Sequence, residues 1–330
     1  MDVLSEVLST VRLQGALFFN AEFSAPWCLH SSGSPGLTPH LPPDPGHLIL
    51  FHFLTEGRAY AELDGQQVEL SAGDIVILPH GDAHLIGNGS PRQPVDSFRT
   101  FRKHLAEGLR PVQFGGGGEI TRFVCGYMRC DPRLGEVFLA GLPRIVRVRV
   151  AAQPSAEWIR NSIRFSVGAM EGSDAGSSLV VARLSEVLFV ETLRSYINAL
   201  PSDQKGWLAG ARDASVGKAL AFLHREPAEP WTVPRLAHRV GLSRTRLAER
   251  FRHFLGTSPM AYLTEWRLKM GAEMLRRSGE SVAQVALAVG YNSEAAFNRA
   301  FKRAFGAPPA RFRDRQEALD AAPARKRRRR

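Results

Sequence analysis

Imidazole and thiol groups are the most reactive side chains in the first half of the chain, and they include His52, His84 and Cys125. Two imidazoles and a thiolate form a donor set that suits zinc. Histidines in β-structured cores are more commonly packing residues that form hydrogen bonds, so a structural role and a metal site are both open. The three cysteines, Cys28, Cys125 and Cys130, include no CxxC pair. This fits reduced thiols in a cytoplasm better than a disulfide framework.

Short apolar runs separated by turn residues surround these candidates. Pairs such as Asp64-Gly65 and Gly73-Asp74 mark the turns. Many short strands with regular turns predict a sandwich or a barrel between Trp27 and about Val150. The clearest predicted strands are residues 48–54, 58–63, 67–70, 75–78, 120–128 and 145–150. Before them, apolar residues at helical spacing predict an amphipathic helix within residues 1–18.

The periodicity becomes helical near Ser155. A long predicted helix between Gly176 and Pro201 carries more apolar side chains than one stripe on a monomer needs. Packing on the strands and a subunit interface explain this excess equally well. The predicted organisation is an N-terminal β domain (1–153), a helical dimerisation segment (154–200), a polar linker (201–213), a helical domain (214–315) and a disordered basic tail (316–330).

Positive charge is concentrated in the last third of the chain. Residues 211–330 contain 25 Lys and Arg against 11 Asp and Glu, whereas residues 1–210 contain 18 against 21. This asymmetry is expected when a nucleic-acid-binding module is joined to a neutral domain. No apolar run approaches the ~18 residues of a membrane span, and the acidic N-terminus argues against a secretory signal. We therefore expect a cytoplasmic protein with no membrane partner.

Two segments of the basic third share one pattern of a small residue, a glycine and a serine. The small residue lets two helices cross, the glycine allows the left-handed turn that ends the first helix, and the serine caps the second. These residues are Ala237, Gly241 and Ser243 in the first segment and Ala286, Gly290 and Ser293 in the second. Each segment is predicted to be a helix-turn-helix. A helix over residues 262–275 would hold the two second helices toward successive major-groove segments, about 34 Å apart.

Residues 214–313 resemble the DNA-binding domain of the AraC/XylS family of bacterial transcription regulators. The matching residues include Leu236-Ala237, Gly241-Leu242-Ser243, Ser258-Pro259, Trp266-Arg267-Leu268, Val289-Gly290-Tyr291, Phe305-Gly306 and Pro309. The resemblance implies binding to double-stranded promoter DNA, and RNA polymerase as a partner if the protein activates transcription. It places the base-facing positions on Thr245, Ala248, Glu249, Glu294, Ala295, Asn298 and Arg299. The flanking positions are Ser243, Arg244, Arg246, Arg250 and Ser293, and the residues assigned to phosphates are Lys302, Arg303, Arg311 and Arg313.

These residue types suit base recognition. Arginine can donate two hydrogen bonds to guanine, asparagine can pair with adenine, glutamate can accept from cytosine, and alanine can contact the thymine methyl group. An arginine at a protein–DNA interface more often positions the protein on phosphates than reads a base. Both roles are therefore open for each arginine of the two helices.

The segment Gly73–Asn88 matches the pattern G-x5-P-x-G-x2-H-x3-N, with His84 as its histidine. This pattern resembles the second motif of the cupin family, in which the histidine is a ligand when metal is bound. The first cupin motif is degenerate, because Leu50 occupies the place of its glutamate and His47 is out of register. Together with other matches, the segment resembles the cupin sensor domains that precede AraC-type domains. The candidate effector-binding residues are Trp27, His52, His84 and Cys125.

The sequence thus predicts an α+β chain with a cupin-like β-barrel, a helical hairpin and an all-α domain with two helix-turn-helix motifs. We expect a homodimeric, sequence-specific transcription regulator that is not an enzyme and whose partners are promoter DNA and a small-molecule effector. The only cofactor suggested is a divalent metal held by His52, His84 and Cys125. The alternatives are a cupin metalloenzyme with an appended DNA-binding domain, which the degenerate first motif disfavours, and an architectural DNA binder without sequence preference.

Overall fold

Two β-sheets face each other in the first half of the computed structural model. The structure describes residues 3–314 except 12, 39–40, 42–45, 90–92, 106–111, 132–134, 136–138, 140–141, 150–155, 172–175, 202 and 278. The strands in this part of the chain are β1 (Gln14–Ser24), β2 (Trp27–Ser31), β3 (His47–Glu56), β4 (Arg58–Leu63), β5 (Gln66–Ser71), β6 (Asp74–Leu78), β7 (His84–Asn88), β8 (Val95–Asp96), β9 (Val112–Gly115), β10 (Ile120–Cys130) and β11 (Val146–Arg149). One sheet has the order β11-β6-β3-β10-β1-β9 and the other β5-β4-β7-β2-β8.

Helices accompany these strands and form the second half of the chain. Those joined to the sheets are α2 (Gly33–Leu37), α3 (Ser97–Leu105), α4 (Ala156–Glu171) and α5 (Ser177–Ala199). The remaining helices are α1 (Val3–Val11), α6 (Trp207–Arg212), α7 (Ala214–Arg225), α8 (Val233–Arg239), α9 (Arg244–Leu255), α10 (Pro259–Arg277), α11 (Val282–Ala288) and α12 (Glu294–Phe305). In the described part of the chain, no helix combines the length and apolar character that crossing a membrane requires.

Strand β6 shows how the sequence builds a β domain with two apolar layers. All five of its residues are buried. Val76 and Leu78 belong to the core between the two sheets, whereas Ile75 and Ile77 lie with Leu188 of α5 on the outer face. Because successive side chains of a strand point to opposite faces, a continuous apolar run is required where both faces are covered.

The predicted strands are confirmed as β3, β4, β5, β6, β10 and β11. The predicted helix over residues 1–18 is wrong beyond Val11, because β1 already begins at Gln14. Alternate residues Phe19, Ala21 and Phe23 are buried, which is the period of a strand and not of a helix.

Helix α5 has one face packed on β1 and β10 and another that is exposed. Its buried residues include Leu188, Phe189 and Leu193. Packing therefore accounts for the apolar residues of its second half. Leu179, Val180 and Val187 remain exposed, as do Trp158 and Phe165 of the neighbouring α4.

Contacts divide the described residues into two units. The N-terminal unit contains the described residues within 12–135 and 139–201. The C-terminal unit contains residues 3–11 and the described residues from 203 onward. Helix α1 therefore belongs with the C-terminal unit, although the sequence places it in the N-terminal domain. Its Val3, Val7 and Leu8 are buried, and the helix packs on α7.

The C-terminal unit consists of two helical cores joined by α10. Tyr262, Leu263 and Trp266 are buried in the first half of this helix, where Tyr262 contacts residues of α6 and α7. Leu268 and Leu275 belong to a second core with α11 and α12. Helix α6 lies within the predicted linker, and its Trp207 is buried.

Candidate nucleic-acid interface and barrel cavity

The first helix-turn-helix is formed by α8 and α9. The Leu242 backbone N–H donates to the Ala237 carbonyl over 3.0 Å, across a turn in which Gly241 has a φ of +73°. The Ser243 hydroxyl then accepts a hydrogen bond from the Arg246 N–H and caps α9. A bond across a left-handed glycine satisfies carbonyls that the end of the helix leaves open, so the turn angle is fixed by local backbone chemistry.

The second helix-turn-helix, formed by α11 and α12, repeats this geometry. The Tyr291 N–H donates to the Ala286 carbonyl over 2.9 Å, and Gly290 has a φ of +85°. Ser293 caps α12 by accepting from the Ala296 N–H. Ser281 and Gln284 form a reciprocal capping box at the start of α11, which pairs two open N–H groups.

The second helix of each motif, α9 or α12, buries apolar side chains and exposes a polar face. Leu247 and Phe251 of α9 and Phe297 and Phe301 of α12 are fully buried. The exposed residues among those predicted to face DNA are Ser243, Arg244, Thr245, Arg246, Glu249, Ser293, Glu294, Ala295, Arg299, Lys302 and Arg303. Ala248 and Asn298 are half-buried. The two faces carry the donors and acceptors that contacts to base edges and phosphates use.

Arg250 is half-buried, and its guanidinium group is paired with a residue outside α9. It forms an ion pair with Asp213, which also caps α7 by accepting from the N–H groups of Ser215 and Val216. Burial alone would raise the pKa of Asp213, but the hydrogen bonds from Arg250 and Val216 outweigh it and lower this pKa. Arg250 therefore joins α9 to the start of α7.

The predicted phosphate contacts are also of two kinds. Lys302, Arg303 and Arg311 are exposed. Arg313 is half-buried and donates to the backbone carbonyl of Glu280 over 2.5 Å. Arg313 thus joins the residues after α12 to the loop before α11.

Arg267 connects the two halves of the C-terminal unit. It donates to the carbonyls of Pro227 and Glu229 over 2.7 and 2.8 Å, in the loop between α7 and α8. The same loop lies against the second turn, because a Cβ atom on Gly290 would be 2.7 Å from the Ala228 Cα. The roles of Arg267 and Asp213 do not follow from the sequence pattern, since their partners are distant along the chain.

The barrel brings together three of the four residues predicted to bind an effector. His52 and Cys125 are cross-strand partners in β3 and β10, so their side chains lie on the same face. His52 Nδ1 is 2.6 Å from Cys125 Sγ, and His52 Nε2 is 2.7 Å from His84 Nε2. His84 Nδ1 lies 2.9 Å from the Asp82 carbonyl oxygen. The four groups form one continuous chain.

The carbonyl at the end of this chain sets the direction of every hydrogen bond. A carbonyl only accepts, so His84 Nδ1 donates to it and His84 Nε2 is an acceptor. His52 Nε2 then donates to His84, and the Cys125 thiol donates to His52 Nδ1. Burial, reinforced by His84, holds the pKa of His52 well below its usual range, and burial raises the pKa of the Cys125 thiol. Burial lowers the pKa of His84 as well, so all three groups are neutral at neutral pH.

The hydrogen-bonded chain of Cys125, His52 and His84 does not fit a metal site. The two ring nitrogens of His52 face different partners, so one ion cannot be bound by His52, His84 and Cys125 together without turning the ring. Among the described residues, no group of three or more His, Cys, Asp or Glu side chains is placed to hold a metal ion. The geometry thus corrects the zinc donor set that the residue types suggested.

A cavity of about 40 Å³ lies beside this hydrogen-bonded chain. It is bounded by apolar residues of β1, β2, β7, β10 and α3, with two serine hydroxyls: Phe19, Leu29, Ser31, Ile86, Ser97, Phe98, Phe101 and Phe123, in addition to His52 and Cys125. Trp27 is not among these residues. It stacks on Phe123, with ring centroids 5.3 Å apart, and is part of the adjoining core. The residues from α3 could not be predicted from the sequence pattern because their position depends on the fold.

Comparison with known proteins agrees with both halves of this description. A cupin family model matches residues 2–198, and a helix-turn-helix domain model matches residues 236–315. An AraC-like transcription regulator of Streptomyces lividans is 30% identical over 315 residues, covering 95% of this chain and 98% of the relative. The chain belongs to the AraC family of transcription regulators.

Two further relatives of this AraC-type regulator align over nearly the whole length. The RCS-specific transcriptional activator RclR of Escherichia coli is 30% identical, covering 97% of this chain and 99% of its own. The transcriptional regulator AlkR of Acinetobacter baylyi is 28% identical, covering 95% and 99%. The predicted family and the α+β fold with a cupin-like domain and helix-turn-helix motifs are thereby confirmed, and DNA is the partner of the C-terminal domain.

Proposed function

We propose that this AraC-type regulator recognises specific promoter sequences by inserting α9 and α12 into neighbouring segments of the major groove. The observation that supports the proposal is the repeated turn: a left-handed glycine and a serine cap precede both α9 and α12, and each helix exposes a polar face. Thr245 and Glu249 on α9 and Asn298 and Arg299 on α12 are assigned to base edges. Helix α10 has 19 residues and a length of about 28 Å, which suits helices placed about one DNA turn apart.

Selection of binding sites from a random DNA library by the full chain tests this proposal. The affinity for the selected site and for a shuffled duplex is then measured by fluorescence anisotropy at a fixed salt concentration. We expect at least about a 10³-fold preference for the selected site. Equal affinities would instead support the architectural alternative, in which phosphate contacts alone supply binding.

We infer that the barrel domain senses a small molecule, and that α5 contributes to a homodimer. The cavity beside His52 and Cys125 supports the first role, and the exposed Leu179, Val180 and Val187 support the second, since contiguous apolar residues on a surface commonly mark interfaces. Val187→Glu is expected to shift the protein from dimer to monomer in sedimentation velocity. Asn198→Glu, at another exposed position of α5, is the matched control and should leave the dimer intact.

This proposal does not include catalytic turnover. The hydrogen-bonded chain in the barrel uses the imidazole nitrogens that a cupin metalloenzyme would use to bind its ion. Stoichiometric iron with oxygen uptake by the purified protein would contradict this part. RNA polymerase is a partner if the regulator activates transcription, and the proposed place of action is the cytoplasm.

A further inference from the structure

Cys125, His52 and His84 have the arrangement of a nucleophile, its base and a group that orients the base. The thiol lies 2.6 Å from one imidazole nitrogen, and the opposite nitrogen is fixed by a second histidine at 2.7 Å. The second histidine is itself held by the Asp82 carbonyl. Activated nucleophiles in proteins are recognised by this geometry of nucleophile, base and third group.

The surroundings give the thiol a space in which to react. Cys125 and His52 both border the cavity, whose other boundaries are mainly aromatic and aliphatic side chains such as Phe19, Phe101 and Phe123. The volume of about 40 Å³ holds about three water molecules or a similar number of non-hydrogen atoms. Apolar walls favour an uncharged compound with a carbon skeleton over an ion, because an ion would lose its hydration without a partner.

We propose that Cys125 is a covalent capture site for small, uncharged α,β-unsaturated carbonyl compounds, with His52 as its base and His84 as the residue that positions His52. This inference deepens the sensing role proposed above and rests on it only for the effect of capture on DNA binding. The chemical step itself depends on the three side chains and the cavity.

The reaction is a conjugate addition that needs no further reactant. Cys125 Sγ forms a bond to the β-carbon as the Sγ–H bond breaks, and the proton moves to His52 Nδ1. The π electrons of the carbon–carbon double bond move toward the carbonyl oxygen to give an enolate. The proton then passes from His52 to the α-carbon. His84 accepts a hydrogen bond from the charged His52 ring in the meantime, and no group leaves.

The other two cysteines provide a control inside the same molecule. Cys28, Cys125 and Cys130 are exposed to 3%, 4% and 5%, and all three are free thiols. Cys28 interacts with the Tyr60 hydroxyl at 3.4 Å, and burial with the nearby Asp131 raises the pKa of Cys130 to about 12. Exposure is nearly equal among them, so a difference in reaction rate reports the groups around each thiol and the cavity beside Cys125.

The test treats the full chain with acrolein, the smallest compound of this class with four non-hydrogen atoms, fixes adducts with borohydride and follows each cysteine by peptide mass spectrometry. We expect Cys125 to react at least about tenfold faster than Cys28 and Cys130, and His52→Gln to slow it by about 100-fold, the usual contribution of a general base. His84→Gln should slow it less, since His84 acts through His52. Propanal, which has no conjugated double bond, should give no stable thioether.

Several outcomes would overturn the inference. These are equal rates at the three cysteines, an unchanged rate at Cys125 in His52→Gln, or oxidation of Cys125 by hydrogen peroxide with no acrolein adduct. If His52→Gln opened the barrel, Cys28 and Cys130 would react faster too. In that case the rate at Cys125 is compared in His84→Gln, at a temperature where the melting curve of this variant shows a folded barrel. A slower reaction there supports the inference, and an unchanged rate contradicts it.

DNA affinity of the modified protein separates this inference from the proposed function. A selective adduct at Cys125 that changes affinity for the selected DNA site supports both. A selective adduct with unchanged DNA affinity supports the capture site and contradicts the sensing role of the cavity. Loss of sequence preference in the unmodified protein would contradict the proposed function while leaving the rates at Cys125 as they are.

Discussion

The two helix-turn-helix motifs share their turns and caps but differ in their cores. In the first, Trp207 Nε1 donates to the Tyr262 hydroxyl over 2.8 Å, and this hydroxyl lies 2.7 Å from His224 Nε2. The second core is instead built around phenylalanines that pack at tilted and edge-to-face angles, namely Phe297, Phe301, Phe305 and Phe312. Both motifs therefore need a defined turn and a well-packed core, but the core residues can be either polar or apolar.

The two turn glycines should differ most clearly. Both have a positive φ, so replacement by alanine costs about 1–2 kcal/mol of backbone strain. A Cβ on Gly241 would meet no atom within 4 Å, whereas on Gly290 it would lie 2.7 Å from the Ala228 Cα. We expect about 1–2 kcal/mol of lost stability for Gly241→Ala and about 3 kcal/mol or more for Gly290→Ala, since overpacking adds a further penalty. Urea unfolding of both variants measures the difference, and equal losses would refute the role of the crowded turn.

Arg299 tests whether the second motif reads bases. Arg299→Ala should weaken binding to the selected site by about 1–3 kcal/mol and relax the preference at one base position. Arg246→Ala is the counterpart in the first motif, at an exposed position of α9. Anisotropy titrations on the selected and shuffled duplexes provide the measurement. An equal loss on both duplexes would assign Arg299 to phosphates.

His224 should make the first motif sensitive to acid. Burial lowers the pKa of His224 to about 3, while an unfolded histidine titrates near 6.5. The unfolded state therefore binds a proton first as the pH falls, and stability is lost between about pH 6.5 and pH 3. The loss at pH 5 is about 2 kcal/mol.

Hydrogen exchange of the full chain, corrected for intrinsic rates, measures this loss in each motif. Between pH 7.5 and pH 5, protection should fall in α7 and the first half of α10 before it falls in α12. His224→Gln should remove the pH dependence assigned to this group, whatever its effect at neutral pH. Protection that falls equally in α12 and α7 would show that the two cores open together.

The smallest expected effect separates exposed arginines from paired ones. Arg303→Ala should reduce the slope of log affinity against log salt by about one, because one phosphate contact is lost. Arg250→Ala should leave the slope unchanged, because its guanidinium group is paired with Asp213. An unchanged slope in Arg303→Ala would contradict a phosphate contact by Arg303. A reduced slope in Arg250→Ala would show that Arg250 contacts a phosphate.

Features set by neighbours along the chain could be predicted from the sequence, and features set by sheet register could not. The turns at Gly241 and Gly290 follow from residues within one helical turn. The contact between His52 and Cys125 depends on the pairing of β3 with β10 across 73 positions, which no local pattern encodes. The cupin resemblance grouped His52, His84 and Cys125, and the structure places His52 next to both of the others. Their effector-binding role stays a prediction, and the separate partners of the two His52 nitrogens do not fit the zinc donor set.

The first strand shows a second limit. The helical spacing of apolar residues in 3–11 continues by chance toward Phe19. For this reason the helix predicted from the sequence overlaps β1. Alternation at Phe19, Ala21 and Phe23 was present in the sequence and was outweighed by the preceding helix. Asp213 was also missed as the partner of Arg250, since the two residues are 37 positions apart.

Arg267 has a consequence for the arrangement of target promoters. Its bonds to the loop after α7, together with a helix that serves both cores, leave little freedom for the two motifs to turn against each other. One base pair inserted between the two half-sites would rotate the second by about 35° around the duplex. A rigid reader cannot follow that rotation, so naturally occurring operators for this regulator should vary in base sequence far more than in spacing.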